Sequence, residues 1–130
     1  MPARILVVED EPELRRAITV RLTAAGFTCD TAGNGKEALL HIERTRPDLI
    51  VADLLMPEMN GHELVQQLGT HPGTAAIPVV VLTALPEQSR LQWAQALMRV
   101  RVLDKPFDSA QLLAIVQELL RSTPGGSSDG

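Results

Sequence analysis

The sequence predicts an α/β fold: one doubly wound, five-stranded parallel sheet with helices on both faces. Three observations predict it. Short apolar runs alternate with helix-period segments five times along the chain. The runs Ile5 to Val8, Leu49 to Ala52 and Val79 to Leu82 are unbroken aliphatic stretches, the pattern of strands covered on both faces. The chain has 130 residues, enough for one domain with a real core and too few for two ordinary ones. The common order for five such strands, 2-1-3-4-5, opens a ligand crevice at the carboxyl ends of strands 1 and 3.

Each element has its own signal. Strand 1 is Ile5 to Val8. Leu14, Ala17, Ile18, Leu22 and Ala25 then share one helical stripe, with Gly26 as its stop. In the run Phe27 to Thr31, Phe27, Cys29 and Thr31 alternate with polar partners, which suits an edge strand. Asn34 can cap a second helix with Glu37 as its capping-box partner; Ala38, Leu39 and Ile42 face inward, and Pro47 ends it. Strand 3 is Leu49 to Ala52. Asn60 and Glu63 repeat the cap for a third helix through Leu64, Val65 and Leu68. Strand 4 is Val79 to Leu82. Pro86 can open a fourth helix holding Leu91, Ala94 and Leu97. Strand 5 is Val100 to Leu103, and Asp108 with Gln111 opens a fifth helix through Leu112, Leu113, Val116, Leu119 and Leu120. The ordered domain is expected over residues 1–121. Residues 122–130 are rich in Ser, Gly and Pro, with nothing to bury, and are expected to be a disordered tail or linker stub.

Composition excludes several functions. Aromatics are 2% of the chain (Phe27, Trp93, Phe107, no tyrosine), so no stacking platform for single-stranded nucleic acid is available. The net charge is -4 and no basic stripe is visible, which argues against direct nucleic-acid binding. The single Cys29 rules out an internal disulfide or a multi-cysteine metal site, and fits a reducing compartment. MPARILVVEDEP turns acidic too soon for a secretory leader, and no apolar run approaches a membrane span, so a cytoplasmic protein is expected.

Chemistry concentrates at the strand ends. Strand 1 ends in Glu9, Asp10 and Glu11, strand 3 in Asp53, strand 4 in Thr83, and strand 5 in Asp104, Lys105 and Pro106. A parallel sheet brings all these ends to one edge. Glu9, Asp10 and Asp53 close together would repel, and one would be protonated unless a cation intervened. A few carboxylates with waters and a backbone oxygen suit Mg²⁺. A carboxylate beside such a cation can serve as a nucleophile toward phosphorus. A phosphoryl group on Asp53 would have its oxygens neutralised by the cation, Lys105 and the Thr83 hydroxyl. Taken singly, each of these residues is as well explained as a helix-start acid, a loop aspartate, a strand-end threonine or a surface lysine. Their joint occurrence at four strand ends favours the functional reading. His41, His62 and His71 lack metal-ligand spacing and read as surface residues, Arg15 and Arg16 as a helix face, and Trp93 as packing on a helix.

With ILVVEDEP, DLLMPEMNG beginning at Asp53, VVVLTA and KPF in this order and spacing, the chain resembles a response-regulator receiver domain of two-component signalling, a flavodoxin-like (βα)5 fold, over about residues 4–121. The resemblance implies roles. Asp53 is then the phosphoacceptor, Asp10 the direct Mg²⁺ ligand and Glu9 the neighbouring acid that acts through water. The Leu55 carbonyl is a further ligand, Thr83 the switch hydroxyl and Lys105 the partner of the phosphoryl group, with a cis Lys105–Pro106 bond. Met56, Pro57 and Gly61 shape the loop below Asp53. The implied donor is a phosphohistidine on a sensor histidine kinase or phosphotransfer protein.

Three departures from the pattern stand out. Val102 occupies the position, three before the lysine, where the family commonly has Tyr or Phe. Met98 and Arg99 replace the frequent Gly-Ala pair. Leu55 and Leu85 are apolar where polar residues often orient water, which predicts slow self-dephosphorylation. The expected function is a phosphorylation-switched module that alters its helix 4–strand 5–helix 5 face, for homodimerisation or effector docking. The alternative is a phosphorylation-independent adaptor on the same fold. A flavodoxin-like electron carrier is disfavoured, because Glu9, Asp10 and Glu11 would repel a phosphate after strand 1. An aspartyl phosphatase would carry its nucleophile after the first strand instead. The sequence shows no effector domain, so it reads as a stand-alone receiver or as part of a longer protein.

Overall fold

The computed structural model describes residues 2–53, 61–83 and 100–121. Strands β1 (Arg4–Val8), β2 (Thr28–Ala32), β3 (Leu49–Asp53), β4 (Val79–Thr83) and β5 (Val100–Asp104) form one parallel sheet in the order β2-β1-β3-β4-β5. The described helices are α1 (Pro12–Ala24), α2 (Gly35–Arg44), α3 (Gly61–Gly69) and α4 (Ser109–Arg121). α4 is the fifth helix expected from the sequence. The helix expected after Pro86, with Trp93, Met98 and Arg99, lies outside the described residues, as do Asn60, the loop residues Leu55, Met56 and Pro57, Leu85 and the tail. No described helix is long and apolar enough to cross a membrane.

The three unbroken aliphatic runs are the three central strands. Every residue of β3 and β4 is buried, and only Arg4 of β1 is not. Strand pleat sends alternate side chains to opposite faces. Ile5, Val7, Leu49, Val51, Val80 and Leu82 therefore meet Ile18 and Leu22 of α1 and Leu112, Val116 and Leu119 of α4. Leu6, Val8, Ile50, Ala52, Val79 and Val81 meet Ala38 and Ile42 of α2 and Leu64, Val65 and Leu68 of α3. Fully burying one such aliphatic side chain contributes about 1.5–3 kcal/mol, so these two layers dominate the stability. The edge strands differ as expected. β2 has only Ala32 buried, and β5 only Leu103.

Helix ends follow the sequence signals closely. Pro12 occupies the first turn of α1, and Gly26, at φ 102°, takes the left-handed conformation after it. The Asn34 side chain accepts from the Glu37 amide at 2.9 Å. Glu37 Oε1 accepts in return from the Gly33 amide at 2.8 Å, one residue beyond the usual capping-box partner. At α4 the capping box is complete: Asp108 Oδ1 accepts from the Ala110 amide at 2.9 Å, and Gln111 Oε1 from the Asp108 amide at 3.0 Å. Several boundaries shift by a residue: β1 starts at Arg4, and β3, β4 and β5 run on to Asp53, Thr83 and Asp104. β2 starts at Thr28 rather than Phe27, because Phe27 turns out of Gly26 and packs under α1 with its amide on the Leu22 carbonyl. α2 stops at Arg44, ahead of Pro47.

Candidate functional site

Register assembles the site. Val8 pairs with Ala52, so Glu9 leaves β1 level with Asp53. Asp53 pairs with Leu82, so Thr83 stands one residue further along. Thr83 pairs with Asp104, and the Lys105 amide donates to the Thr83 carbonyl at 2.8 Å, fixing where the lysine leaves β5. The Lys105–Pro106 bond is cis, as the resemblance implies.

Lys105 turns back over the sheet edge to Asp53, its Nζ 2.6 Å from Oδ2. Glu9, Asp53 and Thr83 are the buried polar residues of the described core, whereas Asp10 is exposed at the rim. One carboxylate oxygen from each of Glu9, Asp10 and Asp53 lies within 4.8 Å of the others. Of the residues singled out at the strand ends, the structure thus groups Glu9, Asp10, Asp53 and Lys105, with Thr83 on the adjacent strand. Leu55 lies outside the described residues.

Three carboxylates and one ammonium leave the site strongly negative, and the protein responds as electrostatics requires. The Glu9 carboxyl is pushed up to about 8, first by its burial, then by a hydrogen bond it can share with Asp53 and by the Asp53 charge. The Glu11 amide, 3.1 Å from Glu9 Oε2, and the Lys105 charge oppose the rise without overcoming it. Without a cation, then, the cluster holds a proton at neutral pH. Burial by itself would lower the Lys105 pKa, but the hydrogen bond and charge of Asp53, with Glu9 and Glu11 adding, raise it above the ordinary lysine value.

Glu9 Oε1 tests the fit of a cation. It is fully buried and, among the described residues, meets no hydrogen-bond donor. A buried carboxylate oxygen with no donor carries a desolvation penalty. In a carboxyl grouped with those of Asp10 and Asp53, it is satisfied by a proton or by a hard cation, and the all-oxygen donor set suits Mg²⁺. The residues present fit the group.

The family model for the response regulator receiver domain matches residues 5–117. The chain belongs to that family. This receiver domain is 34% identical over 129 residues to protein Rrf1 of Nitratidesulfovibrio vulgaris, covering 99% of this chain and 91% of that one. It spans only about half the length of other curated relatives, such as the phosphate regulon transcriptional regulatory protein PhoB of Rhizobium meliloti (36% identical, 93% of this chain, 53% of that protein). Among solved structures it resembles the signal receiver domain of a signal transduction histidine kinase from Syntrophus aciditrophicus, with a TM-score of 0.87 and 32% identity over 95% of this chain and 93% of that one. A sensor histidine kinase receiver domain from Pseudomonas aeruginosa, at a TM-score of 0.81 and 29% identity over 92% of this chain and 98% of that one, holds a magnesium ion in its active-site cleft.

Some features of this receiver domain were not read from the sequence. Arg15 is more than a helix face: it donates from Nη1 to the Glu9 carbonyl at 2.9 Å. His41 is half-buried rather than a plain surface residue, with Nε2 3.2 Å from Asp30 Oδ2, which also receives Arg4 Nη1 at 2.7 Å. Burial alone would raise the Asp30 pKa, but Arg4 and then His41 hold it below the ordinary carboxylate value. Val102 is half-buried in β5, paired with Val81. A cleft of about 740 Å³ opens between α1 and α4 beside Lys105, lined by Leu14, Ile18, Phe107 and Leu112 among others.

Proposed function

We propose that this receiver domain takes a phosphoryl group from a phosphohistidine, on a sensor histidine kinase or a phosphotransfer protein, onto Asp53. An Asp53 oxygen attacks phosphorus, the phosphorus–nitrogen bond of the donor breaks, and the imidazole leaves with the electron pair and takes up a proton. The observation that carries this reading is the buried Asp53 carboxylate held 2.6 Å from Lys105 beside two further carboxylates.

The residues divide the work. Lys105 fixes the Asp53 carboxylate before reaction and is positioned to neutralise a phosphoryl oxygen after it. Thr83, buried at the end of the neighbouring strand, is assigned the switch hydroxyl. Glu9, Asp10, Asp53 and the Leu55 carbonyl would hold Mg²⁺, which supplies neutralisation of the transferring oxygens. The cleft between α1 and α4 offers the donor an apolar surface beside Lys105. Readout is proposed on the face formed by β5, α4 and the segment before them, through homodimerisation or a protein effector. Without an aromatic ring at Val102, that readout runs through backbone and packing rather than through a swinging side chain.

Incubation with acetyl phosphate and Mg²⁺ tests the reading by mass spectrometry. The expected result is a gain of one phosphoryl mass in the wild type and none in Asp53→Ala. No gain in either protein overturns the reading and favours the phosphorylation-independent adaptor.

A further inference from the structure

We infer that Arg15 is a positioning residue for the cation site: it locks the turn that presents Asp10. This rests on the reading that Glu9 and Asp10 hold Mg²⁺. The observation is a pair of hydrogen bonds that bracket Asp10. The Arg15 guanidinium donates from Nη1 to the carbonyl of Glu9 at 2.9 Å, and the Arg15 backbone amide donates to the carbonyl of Glu11 at 2.9 Å. The second is the first backbone bond of α1, which any residue at this position makes; the bond to Glu9 is what the Arg15 side chain adds.

The rest of the turn is fixed from other directions. The Glu9 amide donates to the Ala32 carbonyl of β2 at 3.0 Å, and the Glu11 amide to Glu9 Oε2 at 3.1 Å. Arg15 therefore supplies the one described side chain that reaches the Glu9 carbonyl. The guanidinium lies beside the β2–α2 turn: a Cβ built on Gly33 would sit 3.7 Å from Nη1, in ordinary van der Waals contact. Asp10 is exposed, and its place in the turn is set by the bonds of the residues on either side. Residues that orient metal ligands without touching the metal are a recurrent part of metal sites.

The sign of the effect separates this role from a simple charge effect. If Arg15 acted only as a positive charge, its removal would strengthen Mg²⁺ binding to three carboxylates. If it positions the turn, its removal weakens binding. Isothermal titration of Mg²⁺ into the full chain reads the difference. Arg15→Met should bind roughly tenfold more weakly, the lower end of what loss of such an orienting partner costs. Arg15→Lys, which keeps a long cationic donor, should recover much of the loss. Arg16→Met removes the same charge from the next, exposed residue and should leave the affinity unchanged. Melting curves in EDTA report whether each variant folds; if Arg15→Met does not, Arg15→Gln against Arg15→Lys carries the same comparison. An Arg15→Met or Arg15→Gln protein that binds Mg²⁺ as tightly as wild type, or more tightly, overturns the inference. A wild type that binds no Mg²⁺ overturns the reading of the site as well, and is told apart by needing no variant.

Discussion

At Glu9, stability and charge are tied together. Its carboxyl binds a proton up to about pH 8 in the folded protein but only up to the ordinary value of 4.5 when unfolded. The folded state therefore holds more protons between those values, and the stabilisation is present in full below pH 4.5 and lost as pH rises toward 8. In EDTA, the melting temperature of the wild type should fall from pH 5 to pH 8 more steeply than that of Glu9→Gln; parallel curves would show that Glu9 is not the titrating group. Lys105, whose pKa is also raised, has the same sign, but its stabilisation is lost only as pH climbs past the ordinary lysine value of 10.5 and is therefore intact at pH 8. Lys105→Met removes the cation from a buried carboxylate, so it should lower stability at pH 8 and abolish the phosphoryl gain from acetyl phosphate, both measurable on one preparation. These residues were legible because each follows a strand, and strand ends are a property of the fold. Arg15 and the Arg4–Asp30–His41 group were not. Their partners lie across strands or back across a turn, at a reach no helical or strand period encodes.

Among the elements, α4 gives the clearest case of local sequence deciding structure. Its capping box satisfies the Ala110 amide with Asp108 and the Asp108 amide with Gln111. Asp108→Ala should cost about 1 kcal/mol, seen as a lower urea midpoint with unchanged slope. Leu112, 1% exposed on the inner face of the same helix, is a larger loss. Leu112→Ala should cost about 2–5 kcal/mol by transfer and cavity formation. If the two substitutions cost the same, the helix would be held by its cap rather than by its packing. Strand limits were legible to about one residue. β2 moved because alternation alone does not decide which residue of an edge strand first pairs, whereas the buried strands are bounded by abrupt changes of polarity.

For the molecule as a whole, the strand order and the two-layer core were legible because three continuous aliphatic runs admit few arrangements other than central parallel strands. The distribution of burial predicts how the sheet opens. Native-state hydrogen exchange should find the amides of β1, β3 and β4 slowest, with β2 and β5 exchanging earlier; uniform protection would contradict a sheet with weak edges. The pleat of β3 has a further consequence for which changes of length the gene tolerates. Leu49 and Val51 point to one layer and Ile50 and Ala52 to the other. Inserting or deleting one residue inside the strand would exchange those sets and rotate Asp53 away from Lys105 in the same stroke. A frame error of a single residue would thus destroy core and chemistry together, while the surface turns that join the elements can absorb added residues. Asp53 is protected against drift in position by the hydrophobic pattern that precedes it.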